Sequence, residues 1–414
     1  MDLLSTNPGL AGKRQMTTTP FSGAVKASFW RGGTSKGVFF NSCDLPEWFQ
    51  LILRSGRTPD ESQFRKMEKF FAAVMGSPDP YGRQLNGMGG GISSLSKAMV
   101  VGPPTQPGAD IDYTFFQIGI KDGKLDMAGN CGNLSAAVGP FALDAGIYQT
   151  RDQITDTGGQ PLKDRQMTMR MRNTNTQKII ESTFKIYFTN GHWRFQQLGD
   201  ATIDGVASTA SKITLSFLDP EGSKTASAFP TGNLIDTINV GNLSIEASLV
   251  DVSNPGIFIR GNDIGWKPTA TPEDLNANQP LLNKLEKIRR SGTEMMGLDP
   301  NISSIPKIVL LFPPSADKMD ISCQALSMGQ AHKATPATLA LNLGVACKLK
   351  GTIPFQLSRH LHRTNTTIGH PSGTLEVGAT LDNGRIKSAN LIRTSRCLMD
   401  GYVNTLMGDE EQES

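Results

Sequence analysis

Met127-Ala128-Gly129-Asn130-Cys131-Gly132-Asn133 sets a cysteine between glycines, behind a β-like run from Tyr113 to Ile120. Ahead of it, Leu134, Ala137, Val138, Phe141 and Ala142 follow the i, i+3, i+4 spacing of a helix with a buried stripe, ending near Gly146. Cys131 therefore falls at a helix start, where unpaired backbone N–H groups favour a thiolate. Cysteine is also a common small core residue, and it is the flanking glycines that set this one apart. Upstream, Met88-Gly89-Gly90-Gly91-Ile92-Ser93-Ser94-Leu95-Ser96-Lys97 is a glycine turn with three serines that ends in a lysine. Ala98-Met99-Val100-Val101 then reads as a strand, stopped by Gly102-Pro103-Pro104. Lys97 thus stands where a loop meets a strand, and rigid backbone can aim its amine.

Working outward, the pattern recurs once. Ser327-Met328-Gly329-Gln330-Ala331-His332-Lys333 precedes Pro336, Leu339, Ala340 and Leu343, a second helical stripe with polar and basic residues at its entrance. Two such units suggest two similar halves facing one another, although literal sequence repetition is weak. Around them lie short β-like stretches: Ala24 to Trp30, Gly37 to Phe40, Met167 to Met171, Thr183 to Phe188, Lys212 to Phe217, Ile235 to Val240, Leu243 to Val250 and Lys307 to Phe312. Phe64, Met67, Phe71 and Val74 share a helical face that Gly76 terminates, and Asp44 before Leu45-Pro46-Glu47 resembles an N-cap. Thr271-Pro272-Glu273-Asp274 opens like a capping box, with a helix following over Pro280 to Arg290. Gly369-His370-Pro371-Ser372-Gly373-Thr374 turns into an alternating strand from Leu375 to Ala379.

The chain has 414 residues, 38% hydrophobic and 19% charged, room for two domains with substantial cores. Glycine at 43 and proline at 24 favour turns and β structure over a helical bundle. A formal charge of +3 with dispersed basic residues argues against nucleic acid. No apolar run approaches a membrane span, so no membrane partner is expected. Met1 to Pro20 reads as a flexible leader and Gly408 to Ser414 as an acidic tail, with a cytoplasmic location expected and a mitochondrial one the alternative. The five cysteines are far apart and lack a C-x-x-C, which speaks against structural zinc or a disulfide framework.

Two helix N-termini facing each other across a cleft would bind carboxylates, with Arg31, His332, Lys333 and His370 adding charge. In that field an amine and a thiol make a base and acid, like-signed surroundings favouring the neutral lysine. Taken singly, Lys97, His332 and His370 are equally ordinary solvated side chains. The glycine segments match neither the dinucleotide fingerprint nor the phosphate loop, and no His-x-x-x-His or carboxylate cluster calls for a metal. The chemistry expected is therefore proton abstraction beside a carboxylate, with no cofactor.

Several separated motifs carry a resemblance. They are Arg31-Gly32-Gly33-Thr34-Ser35-Lys36-Gly37-Val38-Phe39-Phe40, Gly76 to Gly82, Gly129 to Leu134, Phe229 to Asn233, Ala325 to Gly329 and Gly369 to Leu375. In that order, over Ala24 to Val403, the chain resembles the 2-methylaconitate cis-trans isomerase (PrpF-type) family, which shares the diaminopimelate epimerase fold. The resemblance implies an α/β protein of two similar domains, each a curved β-sheet around a central helix, with the active site in the cleft. The boundaries expected are 1–20 for the leader, 21–204 and 205–385 for the domains, 386–405 for C-terminal strands returning to the first domain, and 406–414 for the tail. Lys97 would be the catalytic base and Cys131 the thiol that polarises substrate or acts as partner acid. The implied substrate-binding residues are Thr34, Ser35, Gly90, Gly91, Ile92, Ser93, Ser94, Asn130, Gly132, Asn133, Ser327, Met328, His332, Lys333, His370, Ser372 and Gly373.

The expected ligand is a small tricarboxylic acid, 2-methylaconitate or aconitate, and a homodimer fits the size. Isomerisation of a related unsaturated acid such as methylitaconate, or polycarboxylate binding without turnover, are the alternatives. Unlike the related epimerases, the chain has no second cysteine in a Gly-Cys-Gly-like turn, which argues against two-thiol racemisation. Gly91-Ile92 in the anion loop, and the Leu357-to-Thr367 loop with Arg359, His360, His362 and Arg363, depart from the bacterial pattern.

Overall fold

The computed structural model describes residues 23–55, 58–149, 165–359, 365–382 and 385–405. The expected leader and acidic tail, together with His360, His362 and Arg363, lie outside the described residues. The chain begins with β1 (Ala24–Gly32), β2 (Ser35–Asn41), α1 (Glu47–Ser55), α2 (Glu61–Met75), β3 (Lys97–Gly102) and β4 (Ile111–Ile118). It continues through β5 (Leu125–Asp126), α3 (Gly132–Asp144), β6 (Arg165–Asn173), β7 (Lys178–Thr189), β8 (His192–Phe195) and β9 (Ile213–Leu218). Next come β10 (Asp236–Val240), β11 (Leu243–Val252), β12 (Asn254–Arg260), α4 (Pro272–Ala277), α5 (Gln279–Met295), β13 (Lys307–Phe312) and β14 (Ile321–Ser327). The last elements are β15 (Gln330–Ala331), α6 (Ala337–Ala346), α7 (Ile353–Leu357), β16 (Asn365–His370), β17 (Gly373–Asp382), β18 (Arg385–Arg393) and β19 (Ser395–Asn404).

Pairing is mixed, because parallel neighbours need a crossover whereas antiparallel ones need only a turn. Helices α1 and α2 cross from β2 to its parallel neighbour β3; β3 and β4 are antiparallel, β4 and β6 parallel, β6 and β7 antiparallel. The second half repeats this with α4 and α5 crossing from β12 to β13, then β14, β16 and β17 in the same alternation. Strand β9 lies on β7, β18 on β17, and β9 and β18 pair with each other, so both halves belong to one sheet, of 19 strands among the described residues. At the other side β19 returns to β1.

Each half curls around one helix. Residues Gly132 to Leu143 of α3 and all ten residues of α6 are buried, so these helices are enclosed on every side, beyond the single stripe their spacing predicts. Strands β3 and β4 are likewise buried along their whole length, as expected for strands covered on both faces. A core surrounds α3 and α6, and smaller ones lie beneath α2 and α5.

Local signals account for the helix limits. Asp60 accepts from the Gln63 N–H and Gln63 answers in kind, while Gly76 ends α2 with a left-handed φ of 75°. Thr271 and Asp274 form the expected capping box on α4. Asp44 does not cap α1; it ends a short 3-10 turn, which Asn41 caps by accepting the Cys43 N–H at 3.2 Å.

Helices α3 and α6 meet at their N-termini. A Cβ on Gly132 would stand 3.0 Å from Thr338 Cγ2 and 3.2 Å from Ala337 Cβ, so glycine permits the approach. Asn254, opening β12, stitches the halves together here. Its Nδ2 donates to the Asn130 carbonyl at 2.8 Å and to Thr338 Oγ1 at 3.0 Å, and its Oδ1 accepts from the Asn130 N–H at 3.3 Å.

Candidate active site

A cavity lies where the two helix starts converge. From the first half it is lined by Ser35, Ser93, Lys97, Gln117 and the turn Gly129 to Asn133; from the second by Ser304, Lys307, Ser327, His332 and Pro336 to Thr338. Both helices point free N–H groups and the positive ends of their dipoles toward it, which suits an anion.

Lys97 opens β3, as its place between loop and strand predicts. It is 7% exposed, lies over the Phe115 ring and donates to Gln117 Oε1. Gln117 is itself held by donating to the carbonyls of Ser93 at 3.2 Å and Ser96 at 2.9 Å. Burial lowers the Lys97 pKa, while Cys131 and Asp126 oppose the shift. The cause is thus desolvation more than the like-signed surroundings expected from sequence.

Cys131 is the N-cap residue of α3, buried, with its Sγ 3.9 Å from Ser35 Oγ. Asn130 donates to the Tyr113 hydroxyl at 3.0 Å, and Asn133 donates to Thr34 Oγ1 at 3.1 Å while accepting from Arg393 Nε at 2.9 Å. The turn that carries the thiol is therefore fixed on both flanks.

The structure brings Ser35, Ser93, Lys97, Asn130, Cys131, Gly132, Asn133, Ser327 and His332 to this one cavity. Thr34 and His370 line a neighbouring cavity of about 280 Å³ together with Arg393 and Asp204. Met328 borders a third, smaller one beside Arg289. Gly90, Gly91, Ile92 and Ser94 form the turn leading to Lys97 without lining the cavity; the Gly91 N–H is taken by Gln84 Oε1 at 3.0 Å. Lys333 is exposed and ion-paired with Glu273 at 2.9 Å; Ser372 bonds the Lys333 carbonyl, and Gly373 sits against Asp204.

The charge is distributed otherwise than the sequence suggests. Burial holds His332 and His370 near pH 4, so both rings are neutral at neutral pH. Arg31 is occupied at the Gly33 and Thr394 carbonyls. The cation that lines the cavity alongside Lys97 is Lys307, which sequence reading placed only as the start of a strand. Gln117, Ser304 and Thr338 were also missed, being a mid-strand residue, a loop serine and a helical threonine with no motif around them. Among the described residues, no group of three His, Cys, Asp or Glu side chains is placed to hold a metal ion, and no helix is long and apolar enough to cross a membrane.

A family model described as "PrpF protein" matches residues 24–406. The 2-methyl-aconitate isomerase of Shewanella oneidensis is 35% identical over 404 residues, covering 92% of this chain and 96% of the relative. The 3-methylitaconate isomerase of Eubacterium barkeri is 33% identical over 393 residues, covering 90% and 95% respectively. The crystal structure of a methylitaconate-delta-isomerase aligns with a TM-score of 0.67 at 32% identity, over 93% of this chain and 97% of that one.

Proposed function

The chain belongs to the PrpF family, and from that premise we propose that it isomerises an aconitate-type tricarboxylic acid, 2-methylaconitate or aconitate itself, without a cofactor. The observation that carries this reading is one cavity, set between two helix N-termini, onto which both the Lys97 amine and the Cys131 thiol open.

A buried amine whose charged form is disfavoured is a base. Lys97 takes an allylic proton from the bound acid, and the C–H electron pair spreads into a dienolate over the adjoining carboxylate. The N–H groups at the starts of α3 and α6 face that developing charge and are already oriented for it. While the former double bond is single in character, rotation exchanges the cis and trans arrangements. Return of a proton from the Cys131 thiol to carbon completes the turnover. The amine and thiol are then reset by exchange of one proton, so nothing is oxidised or consumed.

The experiment is turnover of cis-aconitate and 2-methylaconitate in D2O, followed by NMR. Deuterium at the original carbon marks geometric isomerisation, and deuterium at the other end of the allyl unit marks a positional shift. Saturable binding of these acids with no new product would remove the reading. The two substrates differ by one methyl, worth about 1–3 kcal/mol in a fitted pocket, so their relative rates identify the preferred acid.

A further inference from the structure

The two halves repeat more than their strand order. Lys97, Pro103, Pro104, Asp110 and Ile111 are answered, at one constant offset along the chain, by Lys307, Pro313, Pro314, Asp320 and Ile321. Asp110 Oδ2 accepts the Arg170 N–H and its own N–H reaches the Arg170 carbonyl, both at 2.7 Å. Asp320 makes the same exchange with Thr367, at 2.8 Å each way. Lys97 and Lys307 are therefore equivalent positions, each opening the strand that follows its half's helical crossover, and both line the cavity.

Their settings differ. At the same offset Gln117, the acceptor for Lys97, is answered by Ser327, and Lys307 instead donates to the Ser304 carbonyl at 2.6 Å. That partner is neutral. Asp126, whose charge reaches Lys307, receives the Ala128 and Ser304 N–H groups, one on each carboxylate oxygen. Burial beside Lys97 brings Lys307 to about 8, so it keeps its proton at neutral pH. Burial lowers both amines, and each half thus brings one lysine to the same space, Lys97 on the Gln117 side chain and Lys307 on a backbone carbonyl.

We propose that Lys307 is a further catalytic residue, whose ammonium holds the substrate carboxylate onto which charge moves once Lys97 has taken the proton. This rests on the isomerase reading above. The C–H bond breaks, its proton passes to the Lys97 nitrogen, and the electron pair enters the conjugated system ending on the carboxylate oxygens beside Lys307. Lys307 gives up no proton. The Cys131 S–H then supplies the hydrogen to carbon, and the Lys97 ammonium returns its proton to sulfur directly or through solvent. Because negative charge on that carboxylate grows along this path, the ammonium binds the transition state more tightly than the ground state.

The test compares wild type with Lys307→Met, Lys307→Gln and Lys307→Arg, using cis-aconitate and 2-methylaconitate as substrates and circular dichroism to verify folding. Folded Met and Gln variants are expected to lose about 10²–10³-fold in kcat, as on removal of one preorganised donor. Arg, which restores charge but is a poor proton donor, is expected to recover at least about tenfold of that loss. Three outcomes would overturn the assignment. They are a folded Met or Gln variant within about threefold of wild-type kcat, an effect confined to KM, or an Arg variant no better than Met. Wild-type protein inert toward both acids would instead remove the isomerase reading on which the assignment stands.

Discussion

Burial makes the Lys97 amine useful and also makes it expensive to fold. Removing it should separate the two effects: Lys97→Ala is expected to lower turnover by about 10²–10⁴-fold, the usual contribution of a general base, while circular dichroism shows the fold intact. Cys131→Ser keeps a hydrogen-bonding group at the N-cap but replaces the thiol by a far weaker acid. It is expected to lower kcat with KM nearly unchanged, in steady-state assays beside wild type. His332 and His370 give a separate, stability-level expectation. Burial depresses both from 6.5 to about 4, so on acidification the unfolded chain binds protons first. Their contribution is complete above pH 6.5 and is lost as pH falls toward 4; Asp144, raised to about 6 by burial, works in the opposite direction. Melting temperatures between pH 7 and 4 should therefore fall less steeply in His332→Asn/His370→Asn than in wild type.

Among the elements, α3 and α6 set the dimensions of the cavity, and Gly132 sets their separation. Gly132→Ala puts a methyl 3.0 Å from Thr338 Cγ2 and 3.2 Å from the Thr338 backbone nitrogen, so one helix start must yield. Overpacking of this kind costs about 1–3 kcal/mol, and the variant should show a lower melting temperature together with a raised KM. What the sequence made legible at this scale was local. Cys131 announced itself because glycines frame it at a helix start, and the end of α2 and the start of α4 announced themselves through Gly76 and Thr271; the Asp60 cap of α2 went unread. Gln117 and Lys307 did not, because a polar residue within or at the start of a buried strand has no local signature. Their roles arise from neighbours far away in sequence. The one available signal for Lys307 was the spacing it shares with Lys97 ahead of a Pro-Pro pair.

For the whole molecule, the recurring helix-start pattern and the resemblance together gave the two-half plan, and the resemblance implied C-terminal strands over 386–405 returning to the first domain, but neither gave the strand pairing that joins the halves. The β9–β18 pairing unites residues such as Ser388 and Leu218, 170 apart in the chain, and periodicity carries no information about such partners. Asn254 is the sharpest case: a residue before Pro255 whose amide accepts from the Asn130 N–H, donates to the Asn130 carbonyl and reaches Thr338. Asn254→Ala leaves buried donors and acceptors unpaired, at about 1–3 kcal/mol. Urea denaturation is expected to show a lower midpoint with an unchanged slope, and a smaller decline in turnover than for Lys97→Ala.

The internal duplication also bears on handedness in the chemistry. The proposed base, Lys97, belongs to one half alone, so a planar acid lying between the halves presents a single side to it. Of two geminal hydrogens on a reacting methylene, only the one on that side is removed. A substrate labelled with deuterium at one prochiral position would surrender its label, and its mirror-labelled counterpart would keep it.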